Sequence, residues 1–252
     1  MRIDTFSLPS DIISKMVNCV EDAVGDGIQA DTIKIRTKNS VPSRIWDLLN
    51  TNLLDSLEIE GCSAITAHRG PWEMVVVYEK TSNNIFTFMR EKRFADLQKS
   101  QRQRNHLHYV DMLAKQFNSD LLAEQGQVCL FPHEFSDELR LAELVQSLLV
   151  DLGSDLDLIQ HHVIVLFDAS DYRLNHIRAI MVTSDLEIAK DSEQDWSGYI
   201  SHADSVIVDK VSDSISPENQ PTRALALTEK ALARKSRNLA RKQTESSEEH
   251  TS

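Results

Sequence analysis

The sequence predicts an α+β fold: an antiparallel or mixed sheet with flanking helices, followed by a basic C-terminal helix and a disordered tail. Three observations predict it. Apolar residues recur at helical spacing near the start and again near residue 140, short β-rich runs lie between and after them, and apolar content falls away from Ser212. With 252 residues and 41% hydrophobic content the chain is long enough for a substantial core, and it is not a low-complexity or collagen-like sequence. We therefore expect a single α+β domain over residues 1–211, with a linker, a basic helix and a disordered tail over 212–252.

Each element has a local reason. Pro9 and Ser10 precede Ile12, Ile13, Met16, Val17, Val20 and Val24, whose spacing predicts a helix over about 10–24, ended by Gly25 and Gly27. Ile45, Leu48 and Leu49 predict a short helix from Pro42 to Asn50. Residues 65–67, 72–79 and 85–89 read as strands, the last two joined by a five-residue loop, Lys80 to Asn84. Leu97, Leu107, Val110, Leu113, Phe117 and Leu121 predict one long helix over about 94–124. Ser136 is placed to cap a helix over about 137–151, and residues 162–167 and 177–182 read as further strands. In the tail, Leu225, Leu232 and Leu239 stand seven apart among alanines and cations, a short heptad pattern suited to a partner helix.

Several function classes are excluded or disfavoured. The only near pair of glycines is Gly25-x-Gly27, so a phosphate-cradling P-loop or dinucleotide fingerprint is absent. The first residues lack the apolar stretch of a signal peptide, and no run is apolar enough to span a membrane. Cys19, Cys62 and Cys129 are odd in number and widely spaced, which fits neither a disulfide framework nor a zinc site. We expect a cytoplasmic protein with reduced thiols and no membrane partner.

Charge is unevenly distributed. From Pro217 onward the chain has seven cations and five acids, so the preceding 216 residues hold 20 of the 27 cations and 34 of the 39 acids. Within that acidic body two basic segments stand out. Lys34, Arg36, Lys38 and Arg44 have no acid between them, and residues 90–104 contain Arg90, Lys92, Arg93, Lys99, Arg102 and Arg104 against Glu91 and Asp96. These segments are the candidate anion sites, with pairing to acidic surfaces as the structural alternative.

Three further groups carry potential chemistry. A hairpin turn centred on Ser82 would set Glu73 opposite Glu91 and Trp72 opposite Lys92. Two carboxylates and a lysine together are the set with which a nuclease holds a divalent ion and steadies a phosphate, so magnesium enters under this nuclease reading alone. A shift of one residue would instead give an ordinary salt bridge between Arg90 and Glu73. His106-x-His108, beside the basic stretch, are candidate proton-transfer groups for metal-free RNA cleavage. Gln127, Leu130 and Phe131 resemble the short peptide by which bacterial replication and repair proteins bind the sliding clamp, a candidate protein contact alongside the tail helix.

Taken together, Arg36-Thr-Lys-Asn-Ser40, Arg44-Ile-Trp-Asp-Leu-Leu-Asn50, Arg69-Gly-Pro-Trp72, Phe88-Met-Arg-Glu-Lys-Arg-Phe94 and His108-Tyr109 resemble an uncharacterised family of small cytosolic bacterial proteins, mostly from Gram-positive species. The resemblance covers about residues 5–200, and no activity travels with it. It implies that Arg69, Arg90, Glu91, Lys92 and Arg93 form one site, and by analogy a toxin–antitoxin or phage-defence role. The leading expectation is a binding or regulatory module that contacts nucleic acid or another anionic partner through its basic patches. The alternatives are a nuclease-like effector and a protein–protein interaction scaffold.

Overall fold

The computed structural model describes residues 8–33, 36–37, 39–69, 72–123 and 135–201, all within the unit Met1–Ala203. The expected loop motif at Gln127, Leu130 and Phe131 and the tail helix lie outside the described residues, as does Lys38. The predicted first helix forms as α1 (Ser10–Val24), with Ile12, Ile13, Met16, Val17, Val20 and Val24 buried. Gly25 closes it, and the chain turns directly into α2 (Asp26–Thr32), which contains Gly27 rather than ending there. A Cβ on Gly27 would stand 2.6 Å from Asp22 Oδ2 and 2.8 Å from its backbone oxygen, so this close corner requires glycine. The second predicted helix is α3 (Val41–Leu57), longer than expected because Leu53 and Leu57 continue its buried stripe.

Six strands follow in sequential order across one mixed sheet: β1 (Cys62–Arg69), β2 (Trp72–Glu79), β3 (Asn84–Arg90), β4 (His161–Ser170), β5 (Arg173–Met181) and β6 (Gln194–Asp195). All neighbouring pairs are antiparallel except β3 and β4. A parallel pair needs a long crossover, and here it contains α4 (Glu91–Ser100), α5 (Tyr109–Phe117) and α6 (Leu141–Leu148). Strand alternation sends Val75, Val77, Phe86, Phe88, Val163, Val165, Phe167 and Ile177 into a core with α1 and α3. The alternate residues Val76, Tyr78, Ile85, Met89, Ile164, Leu166 and Ile180 meet α4, α5 and α6 on the other face.

The long helix expected over 94–124 is instead α4, a short turn at Gln101–Gln103, and α5. The apolar stripe lapses between Leu97 and Leu107, and polar contacts take over. Ser100 Oγ donates to Asp96 O at 2.8 Å, and Arg104 makes a two-pronged ion pair with the buried Asp111, whose second hydrogen bond is 2.9 Å long. His108 caps α5: its Nδ1 accepts from the Val110 N–H at 3.3 Å, while Asp111 accepts from the His108 N–H at 2.9 Å. The helix expected over 137–151 is likewise divided, into a turn at Glu138–Arg140, α6, and a 3₁₀ segment Val150–Leu158 kinked at Gly153.

The β2–β3 loop has four residues, Lys80 to Asn83, one fewer than expected. Glu79 organises it by accepting from the N–H groups of Thr81 at 2.8 Å and Ser82 at 2.7 Å. Burial opposes the charge on Glu79, but these hydrogen bonds prevail and hold its carboxyl below the usual range. Val77 pairs with Phe86, Tyr78 with Ile85 and Glu79 with Asn84. The register is therefore one residue away from that of a turn centred on Ser82.

Candidate functional site

The β2–β3 ladder ends at Val77 and Phe86, although both strands continue. Beyond that rung β2 pairs with β1 as far as Trp72 opposite Arg69, and β3 pairs with β4 as far as Arg90 opposite Phe167. The sheet thus divides into two prongs at the end where β3 and β4 finish. The carboxyl ends of parallel strands in an open sheet are where ligands commonly bind, because loops and helix starts converge there.

One prong presents Arg90 and the first turn of α4. Arg90 lays its guanidinium over the Phe167 ring, 5.6 Å from its centroid. Lys92 and Arg93 are exposed, and neither has a carboxylate in ion-pair range among the described residues. Trp46 of α3 packs edge-on against the same Phe167 at 5.8 Å. Through Trp46, α3 thus packs against the same end of β4 as Arg90. In the first basic segment Arg36 is exposed, whereas Arg44 is paired with Asp31 of α2 at 2.5 Å. The other prong ends at Arg69 and Trp72, and Trp72 is 74% exposed.

The structure does not bring Glu73 and Glu91 together. Glu73 alternates with the buried Val75 and Val77 toward the α1–α3 face, and it lies 3.5 Å from His68 across the β1–β2 ladder. Glu91 is the first residue of α4 rather than a strand residue. Its carboxylate accepts two hydrogen bonds from Arg178 of β5, from Nε at 2.5 Å and Nη2 at 3.0 Å. Arg178 also reaches Glu193 at 2.7 Å, and its bonds to Glu91 hold the guanidinium still more firmly protonated. Among the described residues no group of three His, Cys, Asp or Glu side chains is arranged to hold a metal ion.

Sequence reasoning did not single out this Arg178 cluster. His176 stands between two of its acids, with Nδ1 3.9 Å from Glu91 and Nε2 3.8 Å from Asp195. Hydrogen bonds from Ser197, with a smaller contribution from His176, hold the Asp195 carboxyl below the usual range. The only sequence signal was the alternation of β5, which places His176 and Arg178 on one face.

The expected histidine pair is also used locally. His108 caps α5, and His106 sits 3.1 Å from Ser136 Oγ and 3.8 Å from Asp137, tying two loops together. Neither stands on a helix, as the expected continuous helix would have required. Cys19 and Cys62 are buried free thiols, and burial pushes Cys62 up to about 11, which suppresses the reactive thiolate. Among the described residues no helix is long and apolar enough to cross a membrane.

No curated protein and no solved structure matches the chain. A family model does match, over residues 5–244, and so runs past residue 200, where the likeness of the motif blocks ended. The chain belongs to the family of unknown function DUF5986.

Proposed function

We propose that this protein is a binding module that contacts nucleic acid through the cations at the divided end of its sheet. The observation that supports this best is the exposure of Lys92 and Arg93, without carboxylate partners among the described residues, beside Arg90 at the carboxyl end of β3. Three other cations are already paired, Arg44 with Asp31, Arg104 with Asp111 and Arg178 with Glu91, while Arg36 is exposed. In an otherwise acidic body, the unpaired set is a local positive field suited to phosphate. In the bacterial setting that the motif blocks suggest, such a module would serve as a regulatory component of a toxin–antitoxin or phage-defence system.

Binding is favoured over phosphodiester cleavage because the carboxylates and histidines nominated for cleavage already have structural partners. Glu91 is held by Arg178, and His108 Nδ1 takes up the Val110 N–H. The test is a gel-shift and cleavage assay with single- and double-stranded DNA and RNA at low salt, with and without magnesium. Shifted, intact nucleic acid that is released as salt rises is expected, together with a smaller salt slope in Lys92→Ala and Arg93→Ala. Magnesium-dependent cleavage abolished by Glu91→Gln would favour the nuclease instead, and no interaction at all would favour a protein partner.

A further inference from the structure

The two outer edges of the sheet end differently. Along β5 the edge is closed by β6, where Arg178 pairs with Asp195 and Ala179 with Gln194. The closure continues at Ile177, whose carbonyl accepts from the Trp196 N–H at 2.9 Å and whose N–H donates to Ser197 Oγ at 3.2 Å. At the opposite edge β1 has a strand neighbour on one side alone, β2.

The backbone bonds of β1 fix which of its groups face outward. The Lys80 N–H donates to Gly61 O at 2.8 Å, so Gly61 and every second residue after it turn toward β2. Cys62, Ala64, Thr66 and His68 therefore turn toward the edge. Two of these donors are satisfied within the chain, the Cys62 N–H by Ile59 O at 3.0 Å and the Ala64 N–H by Glu58 Oε2 at 3.2 Å. The N–H groups of Thr66 and His68 have no partner among the described residues. A charged side chain thus guards the first half of the edge and leaves the second half as a template for another strand.

This free stretch complements itself. Let a second copy lie antiparallel to β1, with the two Ala67 residues facing each other across a two-fold axis. Thr66 of each copy then falls opposite His68 of the other, and the free N–H groups meet the outward carbonyls, while Ala64 keeps Glu58. Ala67 occupies the close, non-hydrogen-bonded position, where Cα atoms stand about 4.5 Å apart and a small side chain is required. Ile65 and Met74, both partly exposed on the same face, would be continued by their copies. Charge permits the approach here. Residues 61–72 contain no acid, in a chain with 39, so the register opposes no like-charged carboxylates. It also sets Arg69 of the second copy opposite Ile65, next to Ala64 and its Glu58 carboxylate, an opposite charge. Both edges are ordered before they meet, so pairing avoids the entropy cost of straightening a loose peptide.

We propose that two copies of this protein pair through β1 about a two-fold axis at Ala67, joining their six-stranded sheets into one. Pairing uses none of Arg90, Lys92 and Arg93, so it is independent of the nucleic-acid reading.

Sedimentation of the full chain from low micromolar to several hundred micromolar should show a reversible monomer–dimer equilibrium. Thr66→Pro deletes one donor in each copy at an edge position where the monomer's N–H is unused, and should weaken dimerisation about ten- to a hundredfold. Circular dichroism checks that this variant is folded. Hydrogen exchange of the unaltered chain needs no variant: the Thr66 and His68 amides should slow as the dimer forms, while the Ala64 amide changes little. A monomer at every concentration overturns the pairing and leaves the edge to an extended segment of another protein. A dimer whose Thr66 and His68 amides exchange as fast as in the monomer overturns it too, as does one that folded Thr66→Pro forms equally well.

Discussion

The backbone N–H of Val75 donates to Asn50 Oδ1 of α3 at 3.2 Å, where the next rung to β3 would have been. The N–H of Lys80 points to Gly61 on the β1 side, so by alternation Val75 and Val77 point toward β3. Val77 finds its partner there and Val75 does not. Asn50 thus satisfies a buried donor that the parting of the strands exposes, and it stabilises the divided end of the sheet.

Asn50→Leu removes that acceptor and should destabilise the protein by about 1–3 kcal/mol, the usual penalty for an unsatisfied buried group. Asn50→Asp keeps an oxygen at the same place and should recover part of the loss. Urea denaturation of the two variants checks this, and equal stability of Asn50→Leu and the wild type would remove the wedge role.

Glu91→Gln should lower stability by about 1–3 kcal/mol, because the charge-assisted pair with Arg178 is lost while Arg178 stays half-buried. Its effect on nucleic-acid affinity should be under twofold. A fall in affinity without a fall in stability would place Glu91 in the binding surface instead.

Asp111→Asn should destabilise more, by about 3–5 kcal/mol, since Asp111 is fully buried and holds both Arg104 and the N–H of His108. Thermal unfolding of this variant beside Glu91→Gln tests the order.

His162 makes stability depend on pH. It is completely buried between β3 and α5, its Nε2 lies 2.8 Å from Thr87 Oγ1, and burial pushes the imidazole down to about 3. The unfolded chain takes up a proton as pH falls through its ordinary value near 6.5, whereas the folded chain does not until near 3. The contribution is therefore complete above about pH 6.5 and is lost at roughly 1.4 kcal/mol per pH unit on acidification toward 3. Urea titrations from pH 7 to pH 4 should show this slope, and it should be absent in His162→Leu.

The helices and strands were legible wherever a face is buried along its whole length. The stripe from Ile12 to Val24 and the alternation from Val75 to Phe88 each state their own period, because burial selects apolar residues at every contact. Legibility failed where side-chain hydrogen bonds set the backbone. The break between α4 and α5 depends on Arg104, His108 and Asp111, whose polarity alone is compatible with a solvated helix surface. Gly27 signalled a helix end, but it serves the close approach of α2 to Asp22.

The site divides in the same way. Sequence alone determined that Arg90, Lys92 and Arg93 form a dense cationic segment within an acidic chain, because composition and adjacency are properties of the string itself. It also determined the mixed α+β character of the fold. Only the tertiary structure decided which charges remain available. Whether Glu91 meets Glu73 or Arg178 depends on where the β2–β3 ladder stops and on the parallel crossover that starts α4 at Glu91 and sets β5 two strands away from β3. Those are long-range pairings, settled by cooperative packing of both faces of the sheet rather than by any local preference.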